Sequence, residues 1–330
     1  MGRRLLITGA TGGLGLALVA AARARGDAVV ATGRSVAAQG RIEGLGAHFV
    51  AADLAEPGTD LRALVRGCDS VIHAAALSAS WGPPEAFKRI NVTATAALLE
   101  AARAEGCDRF VFISSPSIFA SFRDRIGIRA GDAPARPPLN AYARTKLAAE
   151  TLALAANSAA LATTAIRPRA IVGPDDQVLL PRLADLAGRR WIPMLRRGEA
   201  LIELTDVRDA ADAVLLAEDR IDRVAGQAVN VSGGRPRPVR EVAAALAAAL
   251  GRNPRLIDLP VGVGHGLAGV LETLARLTGR KTEPRLTRYS LATLAYSQTF
   301  DLEETAALIG YRPRYDGLAA LLAAARGGRA

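Results

Sequence analysis

Tyr142 and Lys146 stand four residues apart in the stretch YARTK. Helical spacing would set both side chains on one face. A phenol titrates near ~10, and a cation one turn away favours its ionised form, so the pair suits proton transfer. The lysine is conspicuous. Among 42 basic residues only Lys88, Lys146 and Lys281 are lysines, and the rest are arginines. A compact ammonium donates into a tight space that a planar guanidinium does not fill equivalently. Serine hydroxyls precede the pair in ISSPSIFA, residues 113–120, at Ser114, Ser115 and Ser117.

The elements that must position these groups begin at the N-terminus. RLLITG is an apolar run ending in glycine, and GLGLALVAAARARG follows with helical periodicity and a glycine stop. The turn between them holds Gly9, Thr11, Gly12, Gly13, Leu14 and Gly15, with Gly9, Gly12 and Gly15 spaced three apart. Glycine there permits a tight turn and lets backbone N–H groups and the positive helix end approach a pyrophosphate. Placement between strand and helix is what gives this common residue its meaning. A second strand, AVVATGRS, ends where a dinucleotide fold meets the adenosine ribose. No Asp or Glu stands there to favour NAD. Arg34 and Ser35 offer a charged fork and a hydroxyl suited to a 2′-phosphate, so NADP is expected over NAD, which stays possible. Further strands stop at Asp53-Leu54 and at the small residues Ala74, Ala75 and Ala76, where a flat cofactor can lie against the backbone. RFVFISS continues the alternation. The expected fold is α/β, a doubly wound Rossmann parallel sheet with its ligand at the carboxyl edge and a smaller C-terminal substrate-binding lobe.

TGATGGLG, Asp53-Leu54, HAAA, Asn91, ISSPSIFA and YARTK occur in the order of the short-chain dehydrogenase/reductase superfamily, extended branch. The chain resembles that family, which includes NAD-dependent epimerases and dehydratases, over nearly its whole length. The resemblance implies that Tyr142 is the general acid/base. It implies too that Lys146 lowers the tyrosine pKa and binds the nicotinamide ribose, and that a serine orients the reacting oxygen. Aligning Ile118-Phe119-Ala120 to the family pattern selects Ser115, with Ser117 second; Ala120 replaces the usual glycine. Asn91 matches a position that supports the catalytic helices, and Pro168 one beside the nicotinamide. Dimerisation through the helices bearing Asn91 and Tyr142 is a further implication.

Departures from the pattern narrow the chemistry. Family dehydratases carry an Asp-Glu pair after the catalytic hydroxyl; here Pro116-Ser117 supplies neither acid nor base. Sugar-nucleotide enzymes place an arginine before an acidic residue to hold the diphosphate. Here Ile202 precedes Glu203, leaving Arg196 or Arg197 as the available substitutes. RPRAIVGPDDQVLLPRL, NVSGGRPRPVREV and PRLTRYSLATLAYSQTFDLEETAALIGYRP resemble the 3β-hydroxysteroid dehydrogenase-like group, including reductases of 2-alkyl-3-oxoalkanoates. The expected enzyme is therefore an NAD(P)-dependent carbonyl reductase or alcohol dehydrogenase for a small apolar substrate. The alternatives are a 4-epimerase that retains NAD and a cofactor-sensing binder without chemistry. The cofactor domain is expected over 1–170 with a return segment near 205–232, and the lobe mostly over 171–330.

Two later stretches bear on the substrate. Residues 262–281 place Leu267, Val270, Leu271, Leu274 and Leu277 at helical spacing, with Arg276, Arg280 and Lys281 at the end. Packing on the lobe's own core is the favoured reading, and a lip resting on an anionic membrane the alternative. Residues 121–140, rich in Gly, Pro and charge, read as a mobile loop over the substrate. The net charge of +10 is scattered without aromatic interleaving, so nucleic acid is not an expected partner. Cys68, Cys107, His48, His73 and His265 lack ligand spacing, and no metal is expected. Neither a signal peptide, a myristoylation site (Leu6) nor a membrane-length apolar run is found, which predicts a cytoplasmic protein.

Overall fold

The structure, a computed structural model, describes residues 2–280 and 282–327. Five strands follow the expected order: β1 (Arg4–Thr8), β2 (Ala28–Gly33), β3 (His48–Ala51), β4 (Ser70–His73) and β5 (Arg109–Ile113). With β7 (Ala162–Pro168) and the later strand Ala228–Val231 they form one seven-stranded sheet. Its order is Ala228–Val231, β7, β5, β4, β1, β2, β3, and every pairing is parallel. The chain runs outward from β1 to β3 and then returns to the other side of β1 at β4. That reversal opens a crevice at the carboxyl edge between β1 and β4.

Both faces of this sheet are covered, so its strands read as continuous apolar runs rather than alternating ones. Leu5, Ile7, Ile72, Val111 and Ile166 pack on one face, against the helices Gly13–Ala24 and Val207–Asp219. Leu6, Val71, Phe110, Phe112 and Ala165 pack on the other, with Leu98 and Ala149 from helices Ala94–Ala104 and Ala141–Ala155. Each fully buried Leu, Ile or Phe contributes about 1.5–3 kcal/mol. Residues beyond β7 build separate apolar clusters, one around Val172, Leu204, Leu246 and Leu321, another around Leu195, Ala268 and Leu291.

The loop reading of residues 121–140 needs correction. The segment contains β6 (Arg125–Ile128), which pairs in parallel with Gln298–Phe300. Ile128 is buried, and Arg167 donates to the carbonyl of Ala130 at 2.8 Å while gripping Glu150 with 2.6 and 2.8 Å bonds. A charged, glycine-bearing run is thereby fixed by partners distant in sequence.

Helix Val261–Leu277 forms where the periodicity put it, but the favoured orientation was wrong. Its buried side carries Gly264, Ala268, Glu272 and Ala275. Val263, Leu267, Val270, Leu274 and Leu277 are exposed, and only Leu271 of the leucine stripe is partly buried. Small residues permit close packing, so the stripe that looked like a core contact faces outward. Lys281 lies outside the described residues. No helix is long and apolar enough to cross a membrane, and no metal-binding group of three or more His, Cys, Asp or Glu occurs among the described residues.

Candidate active site

A cleft of about 2430 Å³ runs along the carboxyl edge of the sheet and into the space beneath the C-terminal segments. Single-ligand pockets are typically ~300–1,000 Å³, so this one has room for a dinucleotide and a second molecule. Its first wall is the glycine turn. Gly9 adopts φ +67°, and a Cβ there would lie 2.7 Å from the Ala75 nitrogen. A Cβ on Gly15 would lie 2.1 Å from the Gly9 carbonyl oxygen. β1, β4 and the first helix can meet this closely only through glycine. No side chain caps the helix at Gly12, so its first N–H groups stay available to an anion. Thr11, Gly12, Gly13, Leu14, Asp53, Leu54, Ala74, Ala75, Ala76 and Pro168 all line the same cleft. The cradle fits the pyrophosphate and flat rings of a nicotinamide dinucleotide.

At the adenosine end Arg34 lies exposed on the rim, whereas Ser35 is not among the lining residues. Sequence reasoning missed Arg41, which lines this end as well. Its guanidinium holds Asp175 with 2.5 and 2.7 Å contacts and keeps that carboxyl below its usual pKa. The pair joins the second α/β unit to the loop after β7 across the cofactor cleft.

The reacting groups converge from three elements. β5 ends at Ile113, and Ser115 begins the short turn Pro116–Phe119, its hydroxyl oxygen accepting the Ser117 N–H at 3.2 Å. The hydroxyl of Ser115 is directed at the Tyr142 phenol. Helix Ala141–Ala155, capped by Asn140, presents Tyr142 and Lys146. Burial raises the pKa of the Tyr142 phenol, while hydrogen bonds from Ser115 and Ser78 pull it down. Ser78 had no motif to mark it. Ser117 is buried beside the cleft with its hydroxyl unpaired.

Lys146 is 3% exposed and donates to the Ile113 carbonyl, with its ammonium 4.2 Å from the centre of the Phe112 ring. Burial drives its pKa down to about 7, against a smaller upward pull from Glu150. Here the structure differs from the sequence expectation. Desolvation, not this cation, dominates the Tyr142 phenol, because the ammonium is engaged at the end of β5.

Asn91 occupies a widened π-helical turn, Lys88–Thr93. Such turns insert an extra residue and commonly re-aim a side chain. Its Oδ1 accepts the Leu77 N–H at 2.7 Å and its Nδ2 donates to Thr145 Oγ1 at 3.1 Å. One amide thus ties the loop bearing Ser78 to the helix bearing Tyr142 and Lys146. His73 is a core group: Thr8 sits 2.7 Å from Nδ1 and Thr95 2.9 Å from Nε2, and burial lowers its pKa to about 3.

The outer part of the cleft is walled by Leu179, Leu183, Met194, Leu267, Leu271 and Leu294. Arg169, Tyr289 and the Arg182–Glu283 pair (3.0 Å) are its polar features. Arg196 and Arg197 do not line it; Arg196 is bound to Asp124 at 2.8 and 2.9 Å.

Comparison with known proteins agrees with this architecture. Residues 5–232 match the NAD dependent epimerase/dehydratase family. A 2-alkyl-3-oxoalkanoate reductase of Stenotrophomonas maltophilia is 35% identical over 318 residues, covering 94% of this chain and 95% of that protein. One of the same description from Shewanella oneidensis is 30% identical, covering 92% and 81%. Among solved structures, MoeE5 in complex with UDP-glucose and NAD superposes with a TM-score of 0.77 at 26% identity, covering 99% of this chain and 100% of the other.

Proposed function

The chain belongs to the NAD dependent epimerase/dehydratase family, in the extended short-chain dehydrogenase/reductase branch, and from that premise we propose that it is a carbonyl reductase or alcohol dehydrogenase with a preference for NADP. Its substrate is an apolar ketone or secondary alcohol of steroid-like or 3-oxoacyl-like form. The observation that carries the reading is the convergence of Ser115, Tyr142 and Lys146 at the inner end of a cleft whose outer wall is leucine-rich. The description of the most similar relative reported above supports the 3-oxoacyl form.

The nicotinamide cofactor supplies or accepts the hydride when bound. Everything else falls to the chain. The glycine turn and uncapped helix start would hold the pyrophosphate, and Arg34, with Arg41 on the same cleft once released from Asp175, would receive the 2′-phosphate. Lys146 donates to the ribose hydroxyls from its position beside β5. Ser115 donates its hydroxyl proton in a hydrogen bond to the carbonyl oxygen when substrate is bound. Tyr142 gives its phenolic proton to that oxygen in reduction and takes it back in oxidation. Burial raises its pKa, so the phenol is the proton donor at neutral pH.

The deciding experiment follows NADPH and NADH consumption with 3-ketosteroids, 2-alkyl-3-oxo acids and neutral apolar ketones. Turnover that Tyr142→Phe abolishes while cofactor binding persists supports the assignment. Silence across the panel together with UDP-sugar interconversion would replace it with an epimerase.

A further inference from the structure

Arg169 is the one residue of the cleft that the mechanism leaves unused at a cost. It follows Pro168 directly at the end of β7, and its backbone is held firmly. Its N–H donates to the Val231 carbonyl at 2.8 Å, and its own carbonyl accepts the Thr205 hydroxyl. The next residue, Ala170, sits at φ +40°, a left-handed conformation that costs an alanine roughly 1–2 kcal/mol. Such strain persists only where the surroundings enforce it, and it turns the chain immediately after the arginine.

The side chain, in contrast to the backbone, has no partner. Arg169 is 8% exposed, its Nε is buried without a hydrogen-bond acceptor, and no carboxylate lies within ion-pair distance among the described residues. Arg167, buried two residues earlier, is matched by Glu150, and half-buried Arg25 by Asp27 and Glu218. Glu203 attracts Arg169 only from beyond ion-pair range; one of its oxygens accepts the Phe300 N–H and the other is unpaired. Burial pushes the Arg169 guanidinium below its usual pKa, as expected for a charge without compensation. A guanidinium stays protonated nonetheless, and a buried cation without a partner is among the most unfavourable groups a fold can carry.

Its place in the cleft identifies what would compensate it. Arg169 and Tyr289 both line the cavity, as do Ser115 and Tyr142. β7 pairs with β5 and the two end side by side, so Arg169 follows β7 at the same edge of the sheet where Ser115 follows β5.

We propose that Arg169 is the anion-recognition residue of the substrate cavity, binding a carboxylate carried near the reacting carbonyl or carbinol carbon. This rests on the oxidoreductase reading above and narrows it to 3-oxo or 3-hydroxy acids with apolar chains, the acid group anchoring on Arg169 and the chain lying against the leucines. A forked guanidinium suits a planar carboxylate through two parallel bonds. The same chemistry also suits a phosphate of the cofactor, so the test separates the two sources.

The protein is loaded with NADPH, which cannot oxidise a carbinol, and titrated calorimetrically with a 2-alkyl-3-hydroxy acid and with its methyl ester, using wild type, Arg169→Lys and Arg169→Met. Cofactor affinity is measured separately by fluorescence. The acid is expected to bind wild type about 100-fold more tightly than the ester, consistent with loss of a desolvated charge pair. Arg169→Met should erase that ratio and leave ester and cofactor affinity within about twofold, with Arg169→Lys partly restoring it. Arg169→Met should also raise the melting temperature of the ligand-free protein, which a merely structural arginine would not do. Equal binding of acid and ester to wild type overturns the proposal. So does a weakening of cofactor affinity in Arg169→Met as large as that for the acid, since the anion is then the cofactor's own. Turnover is scored independently. If no ketone or carbinol reacts, the reductase reading falls while the binding ratio still decides Arg169.

Discussion

Replacing Lys146 by methionine should make the cofactor-free protein more stable at neutral pH and catalytically inactive. The lysine titrates at 10.5 in water and at about 7 in the fold, with burial as the first cause. At ~1.4 kcal/mol per tenfold change, its burial costs about 5 kcal/mol at or below neutral pH. Methionine removes that cost. It loses the bond to the Ile113 carbonyl and the contact with the Phe112 ring, together worth roughly 2–4 kcal/mol. The expected net gain is about 1–3 kcal/mol, or a rise of about 2–4 °C in a chain of this size. The pH dependence is the sharper signature. Because the folded pKa is depressed, the native state binds fewer protons than the unfolded chain between pH 7 and 10.5, so wild type gains stability as pH rises through that window. The contribution is fully present above 10.5 and lost as pH falls to about 7. Guanidinium titrations of both proteins at pH 7 and pH 10 should therefore show the variant ahead at pH 7 and the gap closed or reversed at pH 10. A gap that does not change with pH, or a variant less stable at pH 7, would refute the burial argument.

Other consequences are as direct. His73, with a pKa of about 3 instead of 6.5, contributes stability that is complete above pH 6.5 and is lost as pH falls toward 3. Wild type should lose about 3 kcal/mol from this residue by pH 4, a slope that His73→Gln flattens in urea titrations. Glu150→Gln leaves Arg167 buried without its bidentate partner and should cost about 3–5 kcal/mol by calorimetry. The pair Arg34→Ala and Arg41→Ala should raise the KM for NADPH about 10- to 100-fold and leave that for NADH nearly unchanged. An equal rise for both cofactors would remove the 2′-phosphate role.

What the sequence disclosed and what it hid divide along a physical line. The glycine turn, the strand order to β5 and the Tyr142–Lys146 pair were legible because each is a local constraint: a forbidden Cβ, a period, a spacing. Ser78 and Arg41 were not, because their roles come from contacts between segments with no fixed separation, and Asn91 was marked only by the family resemblance. The stripe on helix Val261–Leu277 misled for a related reason. Apolar periodicity reports that a helix has two faces, and it does not say that small residues such as Gly264 and Ala268 have taken the buried one. Residues 121–140 carried a loop composition, yet Gln298–Phe300, far along the chain, supplies the strand that orders them.

Arg169 belongs to the hidden class in a more instructive way. Thirty-nine arginines made any one of them uninformative by type, and RPRAIVG gave no sign that the second arginine differs from the first. In the fold the two diverge completely. Arg167 has two carboxylate oxygens at 2.6 and 2.8 Å, and Arg169 has none within ion-pair distance. Lys146 shares this condition, since its neighbour Glu150 is already held by Arg167. The cleft therefore contains two buried cations that the free protein leaves without a carboxylate partner. Folding alone would favour apolar residues at both positions. Their presence is explained if the compensating groups arrive with the ligands: ribose hydroxyls for Lys146, a carboxylate for Arg169. Hydroxyls can satisfy an ammonium's donors without neutralising it, whereas a carboxylate cancels the guanidinium charge. The substrate should then stabilise the holoenzyme more than its apolar contact area alone would suggest, and the corresponding ester should not.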